Sequence, residues 1–160
     1  NGRICKCKEH IDRLYESART LLINIPYTPE QMIEIMKETL RANNLRDGYI
    51  RLVISRGRGD LGIDPKRCNA GPTIVVIATA LKLYAQEMYD NGLRVVTSST
   101  RRIPLDSFNP RVKSLNYLNN IMGKIEANNY GVPDAIMLDH VGNVFGFTTD
   151  NLLIINHDKL

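Results

Sequence analysis

Apolar residues recur at helical spacing in three parts of the chain, and this recurrence predicts three helices. The first runs from about residue 10 to residue 22, the second begins behind Thr28, and the third follows Tyr117. Thr28 and Gln31, separated by Pro29 at the first helical position, form the pattern of a capping box. The buried stripe of this second helix is predicted to comprise Met32, Ile33, Met36 and Leu40.

Alternating and β-branched runs predict the strands. Residues 49–55 are expected to turn Ile50, Leu52 and Ile54 toward the core. Residues 73–78 are continuously apolar, which predicts a strand buried on both faces. Shorter strands are expected at 4–8, 92–97, 135–139, 144–147 and 152–155, with a hairpin turn at 140–143 and a further turn at 156–158.

The weak periodicity of residues 79–91 indicates a connection between two lobes. We therefore expect a small α/β lobe at 1–78, an interdomain linker at 79–91 and the start of a larger β-rich lobe at 92–160. A length of 160 residues suits one domain or two small lobes. Residues 1–3 read as a turn between two strands, so the true N-terminus is expected upstream.

The composition is that of an ordinary folded domain, with 43% hydrophobic and 24% charged residues. The net charge of +4 is mild, and no recognition motif organises the aromatic residues, so nucleic acid is not an expected partner. No apolar run approaches the roughly 18 residues of a membrane helix, so no membrane partner is expected either.

Cys5, Cys7 and Cys68 are interpreted as free thiols of a reducing cytoplasm. Cys5 and Cys7, followed by His10, lack the paired spacing of a structural zinc site, so no metal is expected.

A glycine-rich loop follows the strand at 49–55. Gly57, Gly59 and Gly62 match the spacing G-x-G-x-x-G, which in a dinucleotide-binding fold opens a helix. Turn-forming residues follow at 63–65 and 69–72 instead, so we reject that interpretation. The loop is expected to let its backbone approach a ligand or another subunit closely.

Five segments together resemble the branched-chain aminotransferase group of the class IV, pyridoxal-phosphate-dependent aminotransferases. They are Glu9–Leu14, Tyr49–Val53, Arg56–Pro65, Lys113–Asn119 and Gly142–Asn151. The resemblance covers essentially the whole chain. It implies an α/β (α+β two-lobe) architecture, namely part of the D-amino-acid-aminotransferase-like fold of the fold-type IV pyridoxal-phosphate enzymes. It also implies pyridoxal 5'-phosphate as cofactor, amino acids and 2-oxo acids as small-molecule substrates, a homodimer and a cytoplasmic location.

The same resemblance implies roles for individual residues. Lys113 matches the lysine that bonds to the cofactor aldehyde and then moves the substrate's α-proton. Arg13 matches a ligand of the cofactor phosphate, and Tyr117 matches the tyrosine that contacts its phenolic oxygen. Tyr49 and Arg51 match substrate-pocket positions, where an arginine fork suits a carboxylate.

The chain also departs from the family pattern. Gly146 stands where the family has the glutamate that faces the pyridine nitrogen, Thr149 replaces a usual glycine, and Phe147 adds bulk. The resemblance further implies that family segments are missing before Asn1 and after Leu160.

These observations leave three alternatives. The first is an aminotransferase acting between Leu, Ile or Val and 2-oxoglutarate, or a fragment of one. The second is a non-catalytic, truncated or degenerate relative that serves as a dimerisation or binding module. The third is a small basic binding protein for phosphorylated or nucleic ligands, which only the net charge of +4 favours.

Overall fold

The computed structural model describes residues 3–80 and 84–157. It divides the chain into two compact units, residues 1–83 and residues 84–160, and each is described by itself. The residues predicted as the first turn, at positions 1 and 2, lie outside the described residues, as does residue 158 of the predicted final turn. Among the described residues, no helix is long and apolar enough to cross a membrane.

Unit 1 packs two helices against a β hairpin. Helix α1 spans Cys7–Thr20 and α2 spans Pro29–Ala42, while β1 (Tyr49–Ser55) pairs antiparallel with β2 (Thr73–Thr79). A short 3-10 helix at Pro65–Arg67 lies in the loop between the strands. The core centres on the buried side chains of Ile11, Met32 and Met36, with Ile50, Leu52 and Ile54 packed against it. The predicted core side of β1 is therefore confirmed.

The start of α2 has the predicted capping box. The Thr28 hydroxyl accepts from the Gln31 backbone N–H at 3.3 Å, and the Gln31 side-chain oxygen accepts from the Thr28 N–H at 2.8 Å. These two bonds satisfy donors that the first helical turn leaves without an intrahelical acceptor.

Two predictions for unit 1 are wrong. Residues 4–8 form a turn and the start of α1 instead of a strand, because Lys6 takes a left-handed φ of 47° and pairs with Glu9 one turn later. Strand β2 is not buried on both faces, since Val75 and Ile77 are 44% and 47% exposed. A two-stranded sheet with helices on one face leaves its other face open.

In its described residues, unit 2 contains a three-stranded sheet and two helices. The elements are α3 (Gln86–Asn91), β3 (Val95–Thr97), α4 (Leu118–Asn129), β4 (Asp134–Leu138) and β5 (Val144–Phe147). The strand order is β3-β4-β5, with β3 parallel and β5 antiparallel to the central β4. Helix α4 connects the parallel pair and packs on β4. The predicted third helix, the strand near 135–139 and the hairpin are confirmed.

The contact face of α4 consists of its smallest residues. Gly123 and Ala127 are buried, and a Cβ at Gly123 would lie 3.2 Å from the Thr148 methyl carbon and 3.3 Å from the Met137 sulfur. The apolar stripe that marked this helix in the sequence faces away and is about half exposed: Leu118, Ile121, Met122 and Ile125.

Three further differences from prediction occur in unit 2. Residues 152–155 form no strand, because no described strand pairs with them, and they remain exposed. The strand expected at 92–97 covers only 95–97, because Gly92 takes a positive φ of 80° after α3. Helix α3 itself was not anticipated within the predicted linker.

Gly57 and Gly71 provide a matched pair of substitutions. Both have positive φ, at 90° and 80°, so alanine strains both backbones. Only at Gly57 would a Cβ collide with another atom, the Gly71 carbonyl oxygen at 1.8 Å. We expect Gly71→Ala to cost about 1 kcal/mol of unfolding free energy, and Gly57→Ala roughly 2 kcal/mol more because backbone must move. Urea titrations measure both, and equal losses would contradict the proposed collision.

Candidate functional site

Lys113 and Tyr117 are brought together at the entry to α4. The Lys113 Nζ donates to the Tyr117 phenolic oxygen at 3.4 Å, and both side chains are exposed. Asn109 begins the approach, where its side-chain oxygen accepts from the Arg111 N–H at 3.0 Å. The Ser114 hydroxyl then accepts from the backbone at residue 116. Short-range turns therefore set the position of the lysine, and Tyr117 occupies the N-cap of the helix.

The segment that follows β3 is fixed to α4 by polar side chains. The Asn119 side chain donates to the Arg101 carbonyl at 2.8 Å and accepts from the Ile103 N–H at 3.3 Å. Further along the helix, Glu126 accepts from the hydroxyl of Ser98 and from the backbone of Ser99. These hydrogen bonds, with that of Ser98 the largest contribution, hold the pKa of the Glu126 carboxyl below its ordinary value.

The end of β5 and the turn after it are also fixed. Thr148 is buried, and its hydroxyl donates to the buried carboxylate of Asp134. The Thr148 carbonyl accepts from the Asn120 side chain of α4. Asp150 accepts from the Tyr84 hydroxyl at 3.0 Å. Burial first, and then this hydrogen bond, raises the pKa of Tyr84 to about 12.

Gly146 lies within β5, as the register partner of Met137. Its φ of +151° belongs to the range that favours glycine. A Cβ at this position would meet only the Asp150 carbonyl oxygen, at 3.6 Å. A Cβ at Gly146 would therefore make only an ordinary contact, although the residue itself is buried.

The remaining predicted site residues belong to unit 1. The Arg51 guanidinium lies 5.8 Å from the centroid of the Tyr49 ring, on the side of β1 that faces away from the helices. Arg13 is an exposed residue of α1. The structure thus groups Tyr49 with Arg51 in one unit and Lys113 with Tyr117 in the other.

Sequence reasoning missed three residues of this region: Arg102, Asn119 as a tether, and Glu126. The guanidinium of Arg102 lies 4.9 Å from the Phe145 ring centroid, beside β5. Two signals pointed toward these residues. Two adjacent arginines directly follow the Ser-Ser-Thr run after β3, and Asn119 falls inside the quoted lysine motif.

Comparisons with known proteins agree on one family. The model of the family described as amino-transferase class IV matches residues 1–160. A "Putative branched-chain-amino-acid aminotransferase" of Methanocaldococcus jannaschii is 51% identical over the whole chain. The crystal structure of the T.th. branched-chain amino acid aminotransferase complexed with N-(5'-phosphopyridoxyl)-L-glutamate is 33% identical, covers 89% of this chain and gives a TM-score of 0.80.

A branched-chain aminotransferase of Thermoproteus uzoniensis, crystallised with norvaline, covers 95% of this chain at 28% identity and a TM-score of 0.84. The chain spans about half the length of these proteins: 54% of the Methanocaldococcus protein, 46% of the T.th. chain and 50% of the Thermoproteus chain. These matches confirm the fold class that the resemblance implied.

Glu126 predicts a pH dependence for unit 2. Because its pKa is lowered by folding, the ionised carboxylate stabilises the fold above the ordinary pKa of 4.5, and this stabilisation is lost as the pH falls through the lowered value. We expect the melting temperature to fall between about pH 5 and pH 3, and to fall less in Glu126→Gln. Glu87→Gln, which alters an exposed acid of α3, is the control and should melt like the parent. Identical pH profiles for the parent and Glu126→Gln would contradict the role of these bonds.

Proposed function

Because the chain belongs to the class IV amino-transferase family, we propose that it acts in the transfer of an amino group between Leu, Ile or Val and 2-oxoglutarate, with pyridoxal phosphate as cofactor. The observation that carries this proposal is the contact between the Lys113 amine and the Tyr117 phenol, at 3.4 Å. The names of the similar proteins support the choice of branched-chain substrates.

The donors around Lys113 suit one side of pyridoxal phosphate. A primary amine is the group that reacts with an aldehyde, and a neighbouring phenol can donate to a phenolic oxygen. The pyridine nitrogen would receive no carboxylate from position 146, since that residue is glycine. The phosphate has a candidate ligand in Arg13, whose guanidinium suits phosphate geometry.

The cofactor, when bound, supplies a conjugated ring that accepts the electrons released at the substrate's α-carbon. The residues of this chain would bind, orient and move protons. Lys113 would carry a proton to and from the α-carbon as general base and acid, and Tyr117 would hold the lysine end of the site in place. Tyr49 and Arg51 would receive the substrate, with the arginine fork on its carboxylate.

The assembly that suits this function has a small α/β lobe at 1–78, a linker at 79–91 and a larger lobe from residue 92. We propose that it forms a homodimer in the cytoplasm. Both proposals rest on the resemblance to the class IV aminotransferases.

A second function is favoured by one specific residue. Gly146 lacks the carboxylate that stabilises the protonated ring nitrogen in the family. Removal of only one partner of a buried ion pair costs several kcal/mol. A relative without it would retain the fold and bind ligands or a second copy while performing little chemistry. A chain that attaches no cofactor through Lys113 fits only the second function.

The first test measures cofactor attachment. Addition of pyridoxal phosphate to the purified chain should produce a visible absorbance band, because an amine at position 113 can bond to the aldehyde. Lys113→Ala should abolish the band. Lys124→Ala is the matched control, since Lys124 belongs to the same unit and its amine is engaged with the Pro133 carbonyl, and this variant should keep it. No band in the parent protein would reject the enzyme proposal for this chain.

The second test concerns the missing carboxylate. Gly146→Glu and Gly146→Ala share the strain of a side chain at a φ of +151°, but only the first adds a negative charge. If the carboxylate stabilises the cofactor, the Glu variant should retain pyridoxal phosphate about tenfold or more longer than the Ala variant during gel filtration, a difference of about 1.4 kcal/mol. Equal retention by the two variants would count against the carboxylate argument.

A further inference from the structure

The turn after β5, at residues 147–150, is fixed to the sheet of unit 2. The Phe147 N–H donates to the Asp150 carbonyl at 3.2 Å and closes the turn. Inside it, the Thr148 hydroxyl donates to the carboxylate of Asp134 in β4, and both of these residues are buried. These two bonds join the turn to itself and to β4, and neither comes from α4.

Asn120 joins the same turn to α4. Its side-chain amide donates to the Thr148 carbonyl, and Asn120 itself is half-buried. Among the described residues of α4, it is the one whose side chain forms a hydrogen bond with this turn. Thr148 is therefore held from both sides, by its hydroxyl on β4 and by its carbonyl on the helix. A carbonyl in such surroundings is costly to leave without a donor, so the amide at position 120 helps the turn to keep its place.

Asn120 also lies beside the lysine end of the helix. Tyr117 occupies the N-cap, three residues before Asn120, and residues three apart are neighbours on a helix surface. The Tyr117 phenolic oxygen accepts from the Lys113 Nζ at 3.4 Å, and both side chains are exposed. Thr149, which follows the tethered carbonyl, is exposed as well. Asn120 therefore ties an accessible turn to the part of the helix at which the lysine and its phenol partner lie.

We propose that Asn120 is a positioning residue of the proposed cofactor site and holds the turn after β5 as a wall beside Lys113 and Tyr117. The inference rests on the proposed function, because it concerns the site at which pyridoxal phosphate would attach. Asn120 acts through the Thr148 backbone and not by contact with the reacting atoms. A wall that is fixed before binding does not have to be ordered by the cofactor, so the tether should matter to the affinity for a bulky aldehyde. It should matter little to a small aldehyde, which reaches the lysine without filling the space up to the turn.

Amide hydrogen exchange of the cofactor-free 160-residue chain tests the tether. Asn120→Ala should speed exchange of the Phe147 amide about fivefold, because loss of one hydrogen bond loosens the turn that this amide closes. The Ser98 amide, which donates to the Ile136 carbonyl at 2.8 Å beyond β3, should keep its rate. Asn128→Ala is the matched control, since Asn128 is an exposed residue of the same helix, and it should leave both rates unchanged.

Two aldehydes then test the positioning role. Asn120→Ala should weaken pyridoxal phosphate binding about fivefold or more, measured from the Lys113-dependent absorbance band as the cofactor concentration is raised. Acetaldehyde, trapped on Lys113 with cyanoborohydride and quantified by peptide mass, should react as in the parent. Asn120→Gln keeps the amide donor on a longer side chain and should recover part of the cofactor affinity.

The outcomes separate this inference from the proposed function. A parent chain without the Lys113-dependent band rejects the transaminase, and this inference with it. A band whose cofactor affinity Asn120→Ala leaves unchanged overturns the positioning role alone, as does an unchanged Phe147 exchange rate or an equal loss of acetaldehyde trapping. Circular dichroism spectra establish that each variant is folded. Asn120→Asp, which has the same shape without the donor, replaces the alanine variant if that variant does not fold.

Discussion

Helix α4 approaches β4 so closely at Gly123 that a single added carbon would press on both Met137 and Thr148. This close approach is the constraint on which the rest of unit 2 depends. Because the backbones are near one another, short side chains of the helix can reach the loops on either side of the sheet. Asn119 and Glu126 hold the segment after β3, and Asn120 holds the turn after β5. The lysine motif, the Arg102 segment and the end of β5 are thus positioned by one helix.

The close approach also determines which face of α4 is available. Small residues form the contact, so the larger apolar residues of the helix point outward. Amphipathicity alone would place the large apolar side chains inside. Here the close packing of backbones outweighs that tendency, because the buried side needs the least volume rather than the most hydrophobic surface.

The sequence predicted those elements whose signals are local. The capping box of α2, the core side of β1 and the hairpin at residues 140–143 each follow from a few neighbouring residues, and each is present. The wrong predictions mostly concern features that neighbouring residues do not decide. Whether residues 152–155 form a strand, or β2 is covered on both faces, depends on partners distant in the sequence. The short alternation at residues 4–8 was outweighed by a left-handed residue and the first turn of a helix.

The candidate site divides in the same way. Lys113 and Tyr117 could be identified because they lie four residues apart in a specific motif, and the structure brings their polar atoms together. The roles given to Arg13, Tyr49 and Arg51 remain predictions. Arg102 could not have been identified from its neighbours, because its environment is built by Phe145 and Met137, which the sheet and not the sequence places beside it.

The hydrogen bond from Tyr84 to Asp150 joins residues 66 positions apart, near the two limits of the described part of unit 2. This hydrogen bond closes the intervening chain into a loop, so that fraying of one end disturbs a contact of the other end. The terminal segments of most domains loosen independently, but here the first described residue of the unit and the turn after β5 share a hydrogen bond. Opening of the turn after β5 therefore also breaks this hydrogen bond, which contributes about 1 kcal/mol to keeping the two ends together.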